Sequence, residues 1–161
     1  KTATELYYAH VQSHFVYMST IWSGLSLGLM KSLEILQRKA LRIVLKKNWF
    51  AGKDVLYNIK LLPVSVICET NSCLQVFKIN NNIIKNNVEI RVGSDIHGHS
   101  TRNRENFAIK KCQTNHATQN FYIRAFSKYN ELPKQIKAFH SLSIIKNRLK
   151  EHFLEIYFDA N

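Results

Sequence analysis

Acidic residues are scarce in this chain. Of 161 residues, 11 are Asp or Glu, and the only aspartates are Asp54, Asp95 and Asp159. No two of these are close in sequence. Two-metal phosphoryl transfer needs clustered carboxylates to hold its ions, so this chain alone is not expected to catalyse it. Glu151 and Glu155 share a helix face, but Arg148 and Lys150 lie beside them, the pattern of solvated ion pairs. There is no glycine-rich phosphate loop and no nucleophile elbow. No catalytic residue and no cofactor is assigned. Cysteine is also sparse. Cys68, Cys73 and Cys112 are odd in number and make no disulfide framework, which points to a reducing, intracellular compartment, nuclear or cytoplasmic. A long apolar run is missing too. Leu6 to Met30 has no Lys, Arg, Asp or Glu, but His10, Gln12, Ser13, His14, Ser19, Thr20 and Ser23 make it too polar for a membrane span. A buried helix followed by a turn is the better account, and no membrane segment is expected. No signal peptide is recognisable. The chain starts at Lys1 with an amphipathic segment already under way, which reads as a fragment of something longer.

Positive charge is abundant. Lys and Arg total 23, for a net charge of +12. The cations are spread along the sequence, so the charge belongs to a folded surface. Hydrophobic content of 45% is enough for a core. Such an imbalance favours a polyanionic partner, nucleic acid first and anionic membrane second. The chain is organised around Leu33 to Lys47, LEILQRKALRIVLKK. At helical spacing Leu33, Leu36, Ala40, Ile43 and Val44 make one face, and Arg38, Lys39, Arg42 and Lys46 make the opposite one. The first should enter a core. The second is a ridge of cations, although solvated surface helices, membrane binders and protein partners also carry such ridges.

Glu5 to about Tyr17 reads as a mostly buried, central helix, with Thr4 as a candidate N-cap. His10 and His14 are one turn apart but lack the intervening Glu of a metalloprotease motif, and they read as ordinary histidines. Trp22 to Gly28 is a break. The basic helix follows, from about Leu29 to Lys47, ended by Asn48 and Gly52. Lys53 to Ile59 reads as a short helix and Leu62-Pro63 as a turn. Val64 to about Ile79 is a third long helix, with Cys68 and Cys73 as small core residues. The asparagines at 80, 81, 82, 86 and 87 open a polar stretch that reaches Asn106. Phe107 to Ile109 and Phe121 to Phe126 read as short strands. Leu132-Pro133 turns the chain. Ser141 or Ser143 caps a last helix to about Phe158, with Leu142, Ile145, Leu149, Phe153 and Ile156 as its apolar stripe. One pattern resembles a metal site: His97-x-His99, twelve residues, then Cys112-x-x-x-His116. Its outer pair has one intervening residue, the wrong spacing for a zinc knuckle, so no metal is expected.

Read together, LYYAHVQSHFVYMSTIW and LEILQRKALRIV resemble the segment downstream of the catalytic palm in LINE-type, Jockey-like non-LTR retrotransposon reverse transcriptases. The matching positions are Leu6, Tyr7, Tyr17, Trp22, Leu33, Leu36, Gln37, Ala40, Leu41 and Arg42. The family continues with a Leu-Pro turn (Leu62-Pro63) and a His-x-x-x-Thr-Arg-Asn element (His97 to Asn103). An aromatic run (Phe121 to Phe126), an Asn-x-Leu-Pro turn (Asn130 to Pro133) and a basic amphipathic helix (Ser141 to Phe158) complete it. The resemblance covers nearly the whole chain in the right order. Two departures stand out: Tyr129-Asn130 where Trp-Asn is usual, and Ile145-Lys146 where Phe-Lys is usual. The family's aromatic-x-Asp-Asp motif lies upstream and is absent here. The resemblance therefore implies a thumb and C-terminal region without the polymerase active site.

The expected fold is mainly α: a helical thumb-like unit over 1–82, a polar linker over 83–106, and a small α+β unit over 107–161. The expected function is sequence-independent binding of a template-primer duplex (RNA, DNA or hybrid) as a non-catalytic part of an RNA-directed DNA polymerase, whose catalytic domain would lie upstream in cis. Arg38, Lys39, Arg42, Lys46, Arg102 and Arg104 are the candidate nucleic-acid contacts. A structural or protein-interaction module is the rival reading, and an anionic-membrane surface binder the third. The sequence does not determine an oligomeric state.

Overall fold

A helix with apolar residues on several of its sides must be largely surrounded, and Val64–Asn80 (α5) is such a helix. Val64, Ile67, Cys68, Cys73, Val76, Phe77 and Ile79 are all buried. Its small polar residues bond locally. The Thr70 hydroxyl donates to Val66 O at 2.7 Å and Ser72 to Cys68 O at 2.8 Å, whereas Asn71 reaches outside the helix, its Nδ2 donating to Ser19 Oγ at 2.7 Å. Hydroxyls that return their proton to the preceding turn let a helix carry Ser and Thr inside a core. Burial raises the pKa of Cys68 to about 11 and of Cys73 to about 12, so both are neutral, unreactive thiols.

A computed structural model describes residues 2–46, 56, 61–85, 90–96, 98–99, 101 and 104–159. The chain is mainly helical. Before α5 come α1 (Thr2–Tyr7), a π-helical turn (Tyr8–Gln12), α2 (Ser13–Val16), α3 (Ser19–Trp22) and α4 (Leu27–Leu45). After it come α6 (Gly93–Ile96), α7 (Asn115–Thr118), α8 (Phe121–Glu131), α9 (Lys134–Lys137) and α10 (Leu142–Asp159). Helices α2, α3, α4, α8 and α10 all pack on α5.

Three expectations need correcting. The aromatic run Phe121 to Phe126 is helical, not extended. Asn120 accepts the Tyr122 N–H on its side chain at 2.9 Å and caps α8. From there Ala125, Phe126 and Tyr129 fall on one buried face at helical spacing. Among the described residues the only β pairing is an isolated antiparallel bridge between Val92 and Phe107. Second, α5 is the central helix, and the N-terminal one is peripheral. Only Tyr7 is buried along it, while Leu6, His10, His14 and Val16 are exposed. Third, Thr4 lies inside α1 and caps nothing. The expected helix over Lys53 to Ile59 lies outside the described residues except for Leu56, which is helical and buried.

The main core joins Leu62, Ile67, Cys73, Val76 and Phe77 to Phe107, Phe126, Tyr129, Leu132, Ile145, Leu149 and Phe153. Residues on both sides of the 83–106 stretch thus share one interior. Asn130 ties this arrangement together. Its Oδ1 accepts the Phe107 N–H and its Nδ2 donates to the Phe107 carbonyl, both at 2.9 Å. The side-chain amide stands in for a strand partner, and it holds Phe107 against Phe126 with ring centroids 4.8 Å apart. The last helix starts after Ser141, whose carbonyl accepts the Ile145 N–H. In its stripe Ile145, Leu149 and Phe153 are buried, whereas Leu142 and Ile156 are exposed.

Candidate nucleic-acid interface

Helix α4 carries the cationic ridge, and its rotation about its own axis decides which cations reach solvent. Ser26 opens it with a side-chain bond from the Leu29 N–H at 3.5 Å. Lys46 closes it in the left-handed conformation, φ 51°, with its N–H on Arg42 O and Ile43 O. That conformation suits glycine best and costs another residue about 1 kcal/mol.

The rotation is set by a buried polar residue. Gln37 is 0% exposed. Its Oε1 accepts the Val64 N–H at 3.1 Å, and its Nε2 donates to Leu62 O at 3.0 Å and to the Tyr7 hydroxyl at 3.3 Å. The Tyr7 hydroxyl donates in turn to Gln12 Oε1 at 3.1 Å. One amide thus clamps both sides of the Leu62-Pro63 turn and fastens α1 to α4. Burial raises the Tyr7 pKa to about 12, against the smaller opposing effect of Gln37.

Around this clamp the buried line of α4 is Met30, Gln37 and Leu41, with Leu33, Ala40 and Val44 half-buried beside it. The expected apolar face is therefore corrected at two positions. Leu36 is 55% exposed and Ile43 74% exposed. With Leu29 they form an exposed aliphatic row at seven-residue spacing.

Lys39 and Lys46 are exposed, and so is Lys31, which the pattern of charge did not single out. Arg38 and Arg42 are half-buried. Arg38 lies close enough to Tyr157 of α10 to lower the pKa of its phenol, which burial and then Glu34 raise. Glu34, the one acid on α4, accepts a hydrogen bond from Ser65. Arg104 is exposed in a different part of the fold, on the segment before Phe107, where its carbonyl accepts the Ser94 N–H at 2.9 Å. Arg102 lies outside the described residues. So α4 brings four of the six candidate cations together, and Arg104 stands apart from them.

Among the described residues no group of three His, Cys, Asp or Glu could hold a metal ion. His97 lies outside the described residues, as does the side chain of His116. Cys112 Sγ contacts Lys110 O at 3.6 Å. No described helix is long and apolar enough to cross a membrane. Comparison with protein-family models, curated proteins and solved structures finds no match.

Proposed function

We propose that this chain is a non-catalytic, sequence-independent nucleic-acid-binding segment of a retrotransposon RNA-directed DNA polymerase. It would act inside the cell, alongside a catalytic domain upstream in cis. The observation that carries the reading is the outward side of α4. Lys31, Lys39 and Lys46 are exposed along it, and its single acid is engaged by Ser65. Such a ridge would meet phosphates and supply affinity without reading bases. The net charge of +12 would steer a polyanion toward it.

Counterion release gives the test. Removing one lysine–phosphate pairing should flatten the slope of log K against log salt by about 0.9 on B-form DNA. Changing Lys39 and Lys46 together to Gln should weaken duplex binding and flatten the slope by about one to two, similarly for unrelated sequences. Binding titrations across salt measure it. An unchanged slope would remove α4 from the binding surface. For the non-catalytic part, purified chain with Mg²⁺ or Mn²⁺ should extend no primer on an RNA template; template-dependent incorporation would contradict it.

The exposed row of Leu29, Leu36 and Ile43 favours a second reading, a protein-interaction module. Absence of any duplex affinity in the same titrations would decide for it.

A further inference from the structure

A cleft of about 430 Å³ runs along α5, with the α1–α2 segment on one side and α10 on the other. That volume is within the range of small-molecule sites. Its apolar lining includes Val16, Leu62, Ile67 and Leu74, and Lys146 and Lys150 stand on the α10 side. The two lysines are exposed and one helical turn apart. Among the described residues no Asp, Glu or Arg lines the cleft.

Gln12 adds a donor whose direction can be derived. The Val64 N–H can only donate, so Gln37 must present Oε1 to it and Nε2 to the Tyr7 hydroxyl. That hydroxyl therefore gives its proton to Gln12 Oε1. The Gln12 amide nitrogen is therefore not the atom engaged by Tyr7, and it belongs to a residue that lines the cleft. The polar chemistry offered by Gln12, Lys146 and Lys150 is thus donor-rich and cationic, over an apolar floor. Lysine offers a compact point charge, which a carboxylate on an apolar body can meet without the fork that arginine provides.

From this complementarity we propose that the cleft binds a small amphipathic anion, a carboxylate carried on an acyl or aryl body. The site involves neither α4 nor its cations, so it stands or falls independently of duplex binding.

Decanoate below its micellar concentration is the probe and uncharged decanol its control, titrated into the full isotope-labelled chain and followed by amide NMR. Decanoate should give saturable shifts at Val16, Asn71, Lys146, Asn147 and Lys150. Decanol should bind roughly tenfold more weakly, as expected for a ligand that cannot pair with two exposed charges. Changing Lys146 and Lys150 together to Gln should weaken decanoate by a similar factor and leave decanol unchanged. Val16→Trp, which fills the cleft from an exposed wall, should abolish both. Equal affinity for the two probes, an unaffected double variant, or shifts centred on Leu29, Leu36 and Ile43 would each overturn the proposal. So would displacement of decanoate by a short DNA duplex, which would assign the two lysines to phosphates.

Discussion

Gln37→Leu is expected to cost about 2–6 kcal/mol of stability, because it leaves two buried backbone groups unpaired at about 1–3 kcal/mol each. The groups are the Val64 N–H and the Leu62 carbonyl, both next to Pro63. The Tyr7 hydroxyl keeps Gln12 and adds little to the loss. Leu is the stricter test, since Gln37→Ala would leave room for a water to replace the amide. Gln37→Glu should be no better. Its carboxylate could accept from Val64 but could not donate to Leu62 O, and it would place a charge at a fully buried position. A domain of ordinary stability has about 5–15 kcal/mol in all, so the loss is large enough to read in a denaturant titration. Hydrogen exchange at the Val64 amide adds a local readout. A loss below about 1 kcal/mol would mean that the turn finds other partners.

This clamp gives physical content to several positions that carry the sequence resemblance. Tyr7, Gln37 and Leu62-Pro63 are far apart in the chain and meet in one hydrogen-bonded cluster. Asn130, of the Asn-x-Leu-Pro turn, clamps Phe107 in the same bidentate way. Both amides hold a segment that approaches a helix from elsewhere. Their roles are architectural, and on α4 the exposed cations are Lys31, Lys39 and Lys46.

What the sequence revealed follows from which signals are local. Val64–Asn80 was legible almost to the residue, because Leu62-Pro63 fixes its start and the asparagines after Ile79 fix its end. Ile145, Leu149 and Phe153 were legible as a 3.6-residue repeat. The run at Phe121 was misread because aromatic residues favour strands, and the signal that decides it is a single cap, Asn120. The phase of α4 was misread because a hydrophobic pattern assigns glutamine to solvent, whereas the partners of Gln37 lie 25 and 27 residues further on, at Leu62 and Val64. At the candidate site, the exposure of Lys39 and Lys46 was legible from charge alone. The half-burial of Arg38 was not, since Tyr157 comes from the far end of the chain.

The phase of α4 also predicts a contrast between two leucines five residues apart. Leu41 is 1% exposed and packs with Tyr7, Leu56 and Leu61. Leu41→Ala removes buried methyl groups among residues already fixed by the Gln37 clamp, so the cavity can close only in part. Such a change costs about 2–5 kcal/mol. Leu36 is a leucine of the same helix that a hydrophobic pattern would also place inside. At 55% exposure it has little to lose, and Leu36→Ala should stay within about 0.5 kcal/mol. Alanine's better helix propensity offsets part of even that. Chemical unfolding of the two variants beside the parent measures the difference. If Leu36→Ala proves as costly as Leu41→Ala, the helix is rotated so that Leu36 faces the core. Lys39 would then move with it, and the cationic side would have to be redrawn. If only Leu41→Ala is costly, the rotation holds, and the row of Leu29, Leu36 and Ile43 lies open beside the lysines.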